Sequence, residues 1–438
     1  MMNLEKLFAA AKAKGISDVQ AFLSDRSELS IEVFAGELDK YEIAATSSMT
    51  IRGVYNGKMG TYVTEVMEDS LIETIVDTII EAAKVIDSPD DAIIYAGDKE
   101  YAKLVGLYNP DLKNMDVAEK ITKVKELDKK FHDADPKVAI VETTYSETTK
   151  KVLLQNTQGL KLEDIVNSAY IGGQVIVKDE TDQRTAFDIM ISNDFKDFNL
   201  DKLAKDVVAT GVKALGAKPI PSGSYEIIFR ADALATLLSA FQSIFSAESV
   251  QKGVSLMKGR LGTLVGSPLF TLVDDPFQKK SSRSRSFDDE GVATKYKALI
   301  DKGELKTYLH NLITAKKDGV TSTGNGFGGS IAPLNLKLLP GESKYEDMIK
   351  TVKSGLLVTD VQGAHAGANP VSGDFSLQAL GFVVKDGVIG APVALVTVAG
   401  NFITMMKDVV AVADDLKTSY YSITCPSIQV KAMAVSGI

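Results

Sequence analysis

Apolar residues in the first half of the chain follow two spacings, that of helices and that of strands. Positions three and four residues apart predict four helices, which cover residues 3–14, 68–86, 116–133 and 199–214. Pro89 is predicted to end the second of them. Between the helices stand short runs rich in β-branched residues, which predict antiparallel strands. The Asn56-Gly57 pair separates two such runs and indicates a hairpin, because both residues tolerate positive φ.

The order helix, several strands, helix occurs twice, over residues of about 1–90 and 115–215. We therefore predict a duplicated helix–antiparallel sheet–helix domain over residues 1–220, whose two halves join their sheets into one layer covered by helices. Residues 216–223 contain two prolines and two glycines, so the domain boundary is placed there.

Beyond that boundary, the pattern predicts a strand over residues 225–229 and a helix over residues 231–247. Short strand-like runs then alternate with Gly and Pro turns. This predicts a mostly β C-terminal domain over residues 221–438, and an α+β fold class for the whole chain.

Length and charge limit the number of domains and the classes of partner to expect. A chain of 438 residues is too long for one ordinary hydrophobic core, which agrees with two domains. The net charge of -9 comes from interleaved basic and acidic residues and argues against a nucleic-acid partner. One small basic cluster, residues 279–285, is predicted to be a solvated loop.

The cysteine count and the length of the apolar segments indicate the cellular compartment of the protein. The single cysteine, Cys425, excludes an intrachain disulfide, fits a reducing environment and is expected to be a small buried hydrophobe. No segment has the length and apolarity of a signal peptide core or a membrane-spanning helix. The sequence therefore predicts a cytoplasmic protein with no membrane partner.

Several short motifs follow one another in the C-terminal half. They are Ser286-Phe287-Asp288-Asp289-Glu290-Gly291-Val292, Thr323-Gly324-Asn325-Gly326, residues 365–376, Gly381-Phe382, Asp386-Gly387, Pro392-Val393, residues 397–401 and Pro426-Ser427-Ile428. In this order they resemble the TldD/PmbA family, whose members were once described as modulators of DNA gyrase. Any one motif is weak, whereas five or more in order over about 150 residues are specific.

The family has two types of subunit, and the resemblance points to one of them. TldD-type subunits carry a His-Glu pair and a second His on a helix, where the histidines bind zinc and the Glu acts as general base. Here the three histidines are followed by Asp133, Asn311 and Ala366, so no His-Glu pair exists. Ser239, Ala240 and Ile244 occupy the matching positions, and they are poor zinc ligands or no ligands at all.

The resemblance therefore implies a PmbA-type (TldE-type) chain without catalytic or metal-binding residues of its own. In the family, such a subunit pairs with a TldD-type metallopeptidase subunit, and the complex degrades or matures short, unfolded peptides. The expected partners are a TldD-type subunit or a second copy of the chain, together with a peptide substrate. Zinc is expected only in the TldD-type partner.

Polar residues in the family motifs are the candidates for peptide binding or for the subunit interface. They are His365, Asn369, Ser372, Asp374, Asn325 and Asn401. For His365 a loop histidine bonded to nearby carbonyls is an equal alternative. For the others a structural role is favoured, because Asn, Ser and Asp often bond their own backbone in turns. The three acids 288–290 are predicted to form an exposed turn.

Two other functions stay open at this point. The chain is a stand-alone peptidase or hydrolase using His365, Asn369 and Asp374, or it regulates gyrase or binds nucleic acid. The first alternative lacks a recognisable nucleophile or metal. The acidic composition argues against the second.

Overall fold

A computed structural model describes residues 2–87 and 92–438, and it confirms the α+β class. The helices of the described residues are α1 Leu4–Ala13, α2 Ile72–Val85, α3 Pro110–Asn114, α4 Val117–Ala134, α5 Leu200–Ala214, α6 Ala231–Phe241, α7 Ala247–Gln251, α8 Leu312–Asp318, α9 Tyr345–Thr351, α10 Ala364–Gly367 and α11 Phe402–Lys407. Pro89, predicted to end α2, lies outside the described residues.

Twenty strands occur in the described part of the chain. They are β1 Asp18–Phe34, β2 Glu37–Tyr55, β3 Lys58–Thr64, β4 Val138–Asn156, β5 Lys161–Lys178, β6 Gln183–Ser192, β7 Gly223–Phe229, β8 Leu272–Asp274, β9 Lys297–Asp301, β10 Glu304–Leu305, β11 Gly326–Phe327, β12 Ser330–Ile331, β13 Leu336–Leu338, β14 Ser354–Gln362, β15 Asp374–Lys385, β16 Val388–Asn401, β17 Val409–Val412, β18 Lys417–Thr418, β19 Thr424–Cys425 and β20 Ile428–Ser436.

The N-terminal half forms one antiparallel sheet in the order β3-β2-β1-β4-β5-β6. Each predicted repeat contributes three consecutive strands, and the repeats meet where β1 pairs with β4. The two halves thus join their sheets into one layer, as the duplication predicts. The Asn56-Gly57 hairpin is also confirmed, with φ of 49° and 76° at these two residues.

The strands are longer than the sequence pattern predicts. The apolar runs predicted as separate strands at residues 19–23 and 29–34 both belong to β1, and those at 41–45 and 49–55 both belong to β2. The polar residues between the runs stay in the ladder. Residues 24–28 illustrate the reason, since β1 is paired there with β2 on one edge and β4 on the other. Backbone pairing on both edges keeps such polar residues extended despite their weak strand preference.

Helices cover one face of this sheet. In the second half, α4 and α5 pack on the sheet through a core that includes Val124, Leu127, Phe131 and Tyr145. In the first half, α1 and α2 bury Leu7 and the isoleucines of α2 against β1 and β2. Each helix presents one apolar stripe to the sheet, which is why the periodicity finds the ends of these helices to within four residues.

The C-terminal half is mostly β, as predicted. Strands β16, β15, β14, β7 and β20 pair in sequence, and β20 also pairs with β16, so the five strands close into a ring. A second sheet has the order β10-β9-β8-β13-β19-β18. Helix α6 packs against β7 and β14 of the ring and against β19 of the second sheet. It therefore lies in the main C-terminal core.

The helix predicted over residues 231–247 differs in one respect. The α-helix ends at Phe241, and Gln242–Phe245 form one 3₁₀ turn before α7 begins. Ile244 and Phe245 point into the core from this turn, so tertiary packing replaces the helical continuation. The placement of the domain boundary at residues 216–223 stays a prediction.

Candidate functional site

Helix α6 turns one narrow polar face toward a cleft. Seven of its eleven residues are buried, and the other four are Asp232, Thr236, Ser239 and Ala240. Their spacing of four, three and one places them on one side of the helix. Neighbouring cavities line up along this face, and Thr236 borders two of them.

Two connected cavities make up the cleft. The first, of about 600 Å³, is bordered by Thr236, Ser239 and Ala240 of α6, by the end of β14 and by the turn that carries His365. The second, of about 680 Å³, lies between residues 183–189 of the N-terminal sheet and the C-terminal half. Asp360, Gln362 and Tyr421 border both cavities. A groove of this size accommodates an extended chain of several residues.

A charged cluster closes the end of the cleft near the start of α6. Lys417 lies 2.7 Å from Asp188 of the N-terminal sheet and 2.9 Å from Asp232 of α6. Burial acts to lower the pKa of Lys417, yet these two carboxylates raise it overall, so the ammonium stays charged. Lys417 thereby ties the two halves of the chain together across the cleft.

Asp360 borders both cavities, whereas His365 borders the first one only. Asp360 accepts a hydrogen bond from Gln362 at 2.9 Å, and burial raises the pKa of its carboxyl. His365 is exposed on α10 and borders the same cavity as Ser239 and Ala240. The hydroxyl of Ser239 donates to the carbonyl of Thr236 at 2.7 Å, which is a bond within its own helix rather than a contact with a base. In the part of the chain that the structure describes, the cleft offers binding groups, and its Ser239 hydroxyl is not hydrogen-bonded to a base.

Four of the predicted candidates come together at one turn, which begins four residues after His365 and is joined by Asn401 at the end of β16. Asn369 accepts from the backbone of Val371 and Ser372, at 2.9 and 3.3 Å. The amide of Asn401 donates to the carbonyl of Ser372 and to the carboxylate of Asp374, each at 3.0 Å. The side chains are thus committed to holding the turn in shape. Their direct role in binding a peptide stays a prediction.

Asn325 lies elsewhere, in the buried interior. Its amide donates to Asp274 at 2.8 Å and to the carbonyl of Ala332 at 2.9 Å. Asp274 in turn lies 3.1 Å from Lys297. Asn325 is therefore not in the cleft, and it bonds other segments rather than its own backbone.

The acidic and basic runs are less exposed than the sequence predicts. Asp288 is fully buried, so the prediction of an exposed turn is wrong there. Arg285 is also buried, with its guanidinium 5.1 to 5.4 Å from the rings of Phe22, Phe287 and Phe327. The solvated-loop prediction holds for Lys279 and Lys280 and is wrong for Arg285. Cation–π contacts and the ion pair with Asp289 at 2.6 Å account for this burial.

Sequence reasoning missed Asp232, Thr236, Asp360 and Lys417 as residues of the cleft. The polar stripe of α6 was detectable, because Asp232 and Thr236 lie four residues apart on an otherwise apolar helix. Asp360 comes two residues after the apolar strand residues 356–358. Lys417 carries no local signal, since its partners are 185 and 229 residues away.

The donor set of the cleft does not fit a zinc ion. Ala240 has only a methyl group, and Ile244 is buried in the core. Within the described residues, no group of three or more His, Cys, Asp or Glu is placed to hold a metal. Cys425 is buried, donates from Sγ to the carbonyl of Ala231 at 3.2 Å, and burial raises the pKa of its thiol. His132, His310 and His365 lie on separate elements.

Three family models match the chain in succession, and each describes one domain of a metallopeptidase. They are PmbA/TldA metallopeptidase domain 1 over residues 19–86, the central domain over residues 110–215 and the C-terminal domain over residues 222–437. The fold and these matches define a chain built of the three domains of the PmbA/TldD metallopeptidase family. It belongs to the PmbA/TldD family, so the family resemblance is confirmed.

Relatives and solved structures agree with this family. A metalloprotease PmbA homolog of Haemophilus influenzae is 28% identical, covering 94% of this chain and 90% of its own. A Thermotoga maritima structure, whose name describes a candidate modulator of a DNA gyrase, is 34% identical over 99% of both chains with a TM-score of 0.93. The structure of TldE from Thermococcus kodakarensis shares the fold, at 22% identity over 99% of this chain and 100% of its own, with a TM-score of 0.90.

No helix in residues 2–87 and 92–438 combines the length and apolarity needed to span a bilayer.

Proposed function

We propose that this chain is the non-catalytic, PmbA/TldE-type component of a cytoplasmic metallopeptidase complex that degrades or matures unfolded peptides. The observation that carries the proposal is the polar face of α6, which presents Ser239 and Ala240 to the cleft where a TldD-type subunit has its metal ligands and base. A hydroxyl that donates within its own helix and a methyl group cannot activate water. The partner therefore supplies the zinc.

The cleft supports a role in holding peptides. It is lined by amides, hydroxyls and aromatic rings, with Asp360 bordering both cavities, His365 bordering the first and a charged cluster bordering the second. Such groups bond a peptide backbone without demanding one sequence. An unfolded chain fits better than a folded protein, because cavities of about 600 and 680 Å³ are far too small to hold a folded domain.

Reconstitution tests the division of labour. The chain alone is expected to bind no stoichiometric zinc and to cleave no unfolded peptide, whereas a mixture with a TldD-type subunit cleaves and loses its activity to a chelator. Metal analysis and peptide hydrolysis, each on the separate chains and on the mixture, measure this. Zinc binding by the chain alone, or hydrolysis by it that survives a chelator, would contradict the proposal and favour the stand-alone hydrolase.

His365 in the cleft gives a finer test in the reconstituted complex. His365→Ala is expected to raise KM by roughly threefold to tenfold with kcat nearly unchanged. The reason is that the variant loses one hydrogen bond to the peptide that is equally strong in the bound ground state and in the transition state. Steady-state kinetics on one unfolded peptide measure it. His132→Ala, on the helix α4 away from the cleft, is the matched control and leaves both constants unchanged. A large fall in kcat with His365→Ala would instead assign His365 a chemical role.

A further inference from the structure

The first half of β2 is a strand with one free edge. Residues 37–46 are all exposed, although β1 pairs with them along their whole length. On the other edge, β3 pairs only with residues 49–55, and no other described strand pairs with residues 37–46. An edge of this length presents unpaired N–H and C=O groups that invite another strand.

This edge carries apolar side chains on one face. Leu38, Tyr41 and Ile43 are 41%, 46% and 63% exposed. They lie opposite Val33, Ile31 and Leu29 of β1, which are buried beneath α4. Cross-strand partners share one face of a sheet, so the three side chains lie on the same face as the core beneath α4. They continue that apolar face past the edge of α4, where no helix of the described residues covers them. This apolar strip of Leu38, Tyr41 and Ile43 is shielded from water only if another element packs on it.

The opposite face carries charge. Lys40 lies 3.3 Å from Glu42 and 3.5 Å from Glu32 of β1. A bulge at Asp39 returns Leu38 to the apolar face, so the alternation of apolar and charged positions continues from residue 38 to residue 43.

We propose that this free edge of β2 pairs with the same edge of a second copy of the chain, antiparallel about a twofold axis at Tyr41. A twofold contact is self-complementary, so the register must suit the same sequence read in both directions. A register centred on Lys40 or on Glu42 sets like charges directly opposite each other. A register centred on Tyr41 sets Lys40 of each copy opposite Glu42 of the other, which gives two pairs of opposite charge. The two Tyr41 rings then lie opposite each other on the apolar face.

The register centred on Ile43 also avoids like charges, yet it gives no opposite pair, since Lys40 then faces Thr46 and Glu42 faces Ala44. Charge complementarity therefore selects Tyr41. The pairing joins two six-stranded sheets into a continuous one and covers the apolar strip of both copies. It does not depend on the proposed complex with a metallopeptidase subunit.

Charge exchange tests the surface. The full chain is expected to be a dimer by sedimentation equilibrium. Lys40→Glu or Glu42→Lys each sets two like pairs across the axis and raises the dimer Kd about tenfold. The double variant exchanges both charges and restores the dimer. Lys129→Glu, which breaks an exposed ion pair with Asp133 on α4, is the control and leaves the Kd unchanged.

A single cysteine tests the register. Directly opposite residues have Cα atoms about 4.5 to 5.5 Å apart, within the span of a disulfide. Tyr41→Cys on the axis is therefore expected to form a disulfide-linked dimer on mild oxidation. Ile43→Cys, on the same exposed face, stays unlinked, because four residues of strand separate the two copies by about 13 Å. The native Cys425 is buried and does not interfere.

Either of two results would overturn the pairing. A wild-type chain that stays monomeric at tens of micromolar, or a dimer that the single charge reversals leave intact, excludes this surface. A monomer whose mixed complex with a TldD-type subunit is weakened by Lys40→Glu would assign the edge to that subunit instead. Circular dichroism of each variant separates loss of pairing from loss of folding.

Discussion

Lys120→Met is expected to lower the free energy of unfolding by about 3 to 5 kcal/mol, the range for breaking one partner of a buried ion pair. Lys120 of α4 and Glu147 of β4 have side chains only 2% and 7% exposed, with Nζ and Oε2 2.5 Å apart. Methionine has a similar shape and removes the charge. Glu147 then keeps a buried carboxylate with the hydroxyl of Tyr145, 2.7 Å away, as its remaining partner. Urea unfolding measures the loss.

The control is the same substitution three residues further along the helix. Lys123 pairs with Glu126 at 3.0 Å, with both side chains about 40% exposed. Lys123→Met is expected to cost less than about 1 kcal/mol, because water screens exposed pairs. Adding Glu147→Gln to Lys120→Met removes the orphaned charge and recovers part of the stability. Equal losses for Lys120→Met and Lys123→Met would contradict the buried pair.

The sequence predicts the layers of this fold well because the layers follow local rules. The apolar stripe on α4 or α5 is removed from water when the helix packs on the sheet, so the stripe alone predicts a helix that covers a sheet. The Asn56-Gly57 turn fixes a hairpin in the same way. The lengths of β1 and β4 are not local, because polar residues such as those at 24–28 stay extended only through pairing with distant strands. Strand pattern therefore finds the sheet and underestimates its strands.

The cleft is harder to predict than the fold. Its floor, the stripe of Asp232, Thr236 and Ser239, is readable from one helix. Its walls are assembled from the N-terminal sheet and the C-terminal half, so Asp188 and Lys417 become neighbours only in three dimensions. The amides of Asn325 and Asn401 donate hydrogen bonds to protein groups, which agrees with the structural role that the sequence favours for them.

The motif at residues 286–292 is a structural junction rather than a site of chemistry. Asp288 accepts from the backbone of Glu290, Val292 and Gly326, at 3.0, 3.0 and 2.9 Å, and so joins two family motifs. The same motif is bonded to the N-terminal half, through Gln20 to the carbonyl of Asp289 and Tyr101 to that of Gly291. Folding of both halves therefore converges on this turn.

Asp288→Ala is accordingly expected to destabilise the chain by about 3 kcal/mol or more, since two buried N–H groups and one part-buried N–H group lose their acceptor. Thermal and urea unfolding measure the effect. Asp116→Ala, which removes an exposed N-cap of α4 bonded to Ala118 at 2.7 Å, should cost only about 1 kcal/mol. Similar losses for the two variants would mean that burial adds nothing at Asp288.

The same carboxyl gives the unfolding free energy a distinct pH dependence. Burial raises the pKa of Asp288 to about 7, and the neighbouring Glu290 acts in the same direction. The unfolded chain releases this proton near pH 4, as ordinary Asp does. Between these values the folded chain binds more protons, so the contribution of Asp288 is fully present below pH 4 and is lost as the pH rises through about 7. Urea unfolding at a series of pH values is expected to show this decline in the wild-type chain and not in Asp288→Asn, whose side chain cannot titrate. If Asp288→Asn loses stability between about pH 4 and 7 as the wild type does, the decline comes from another group.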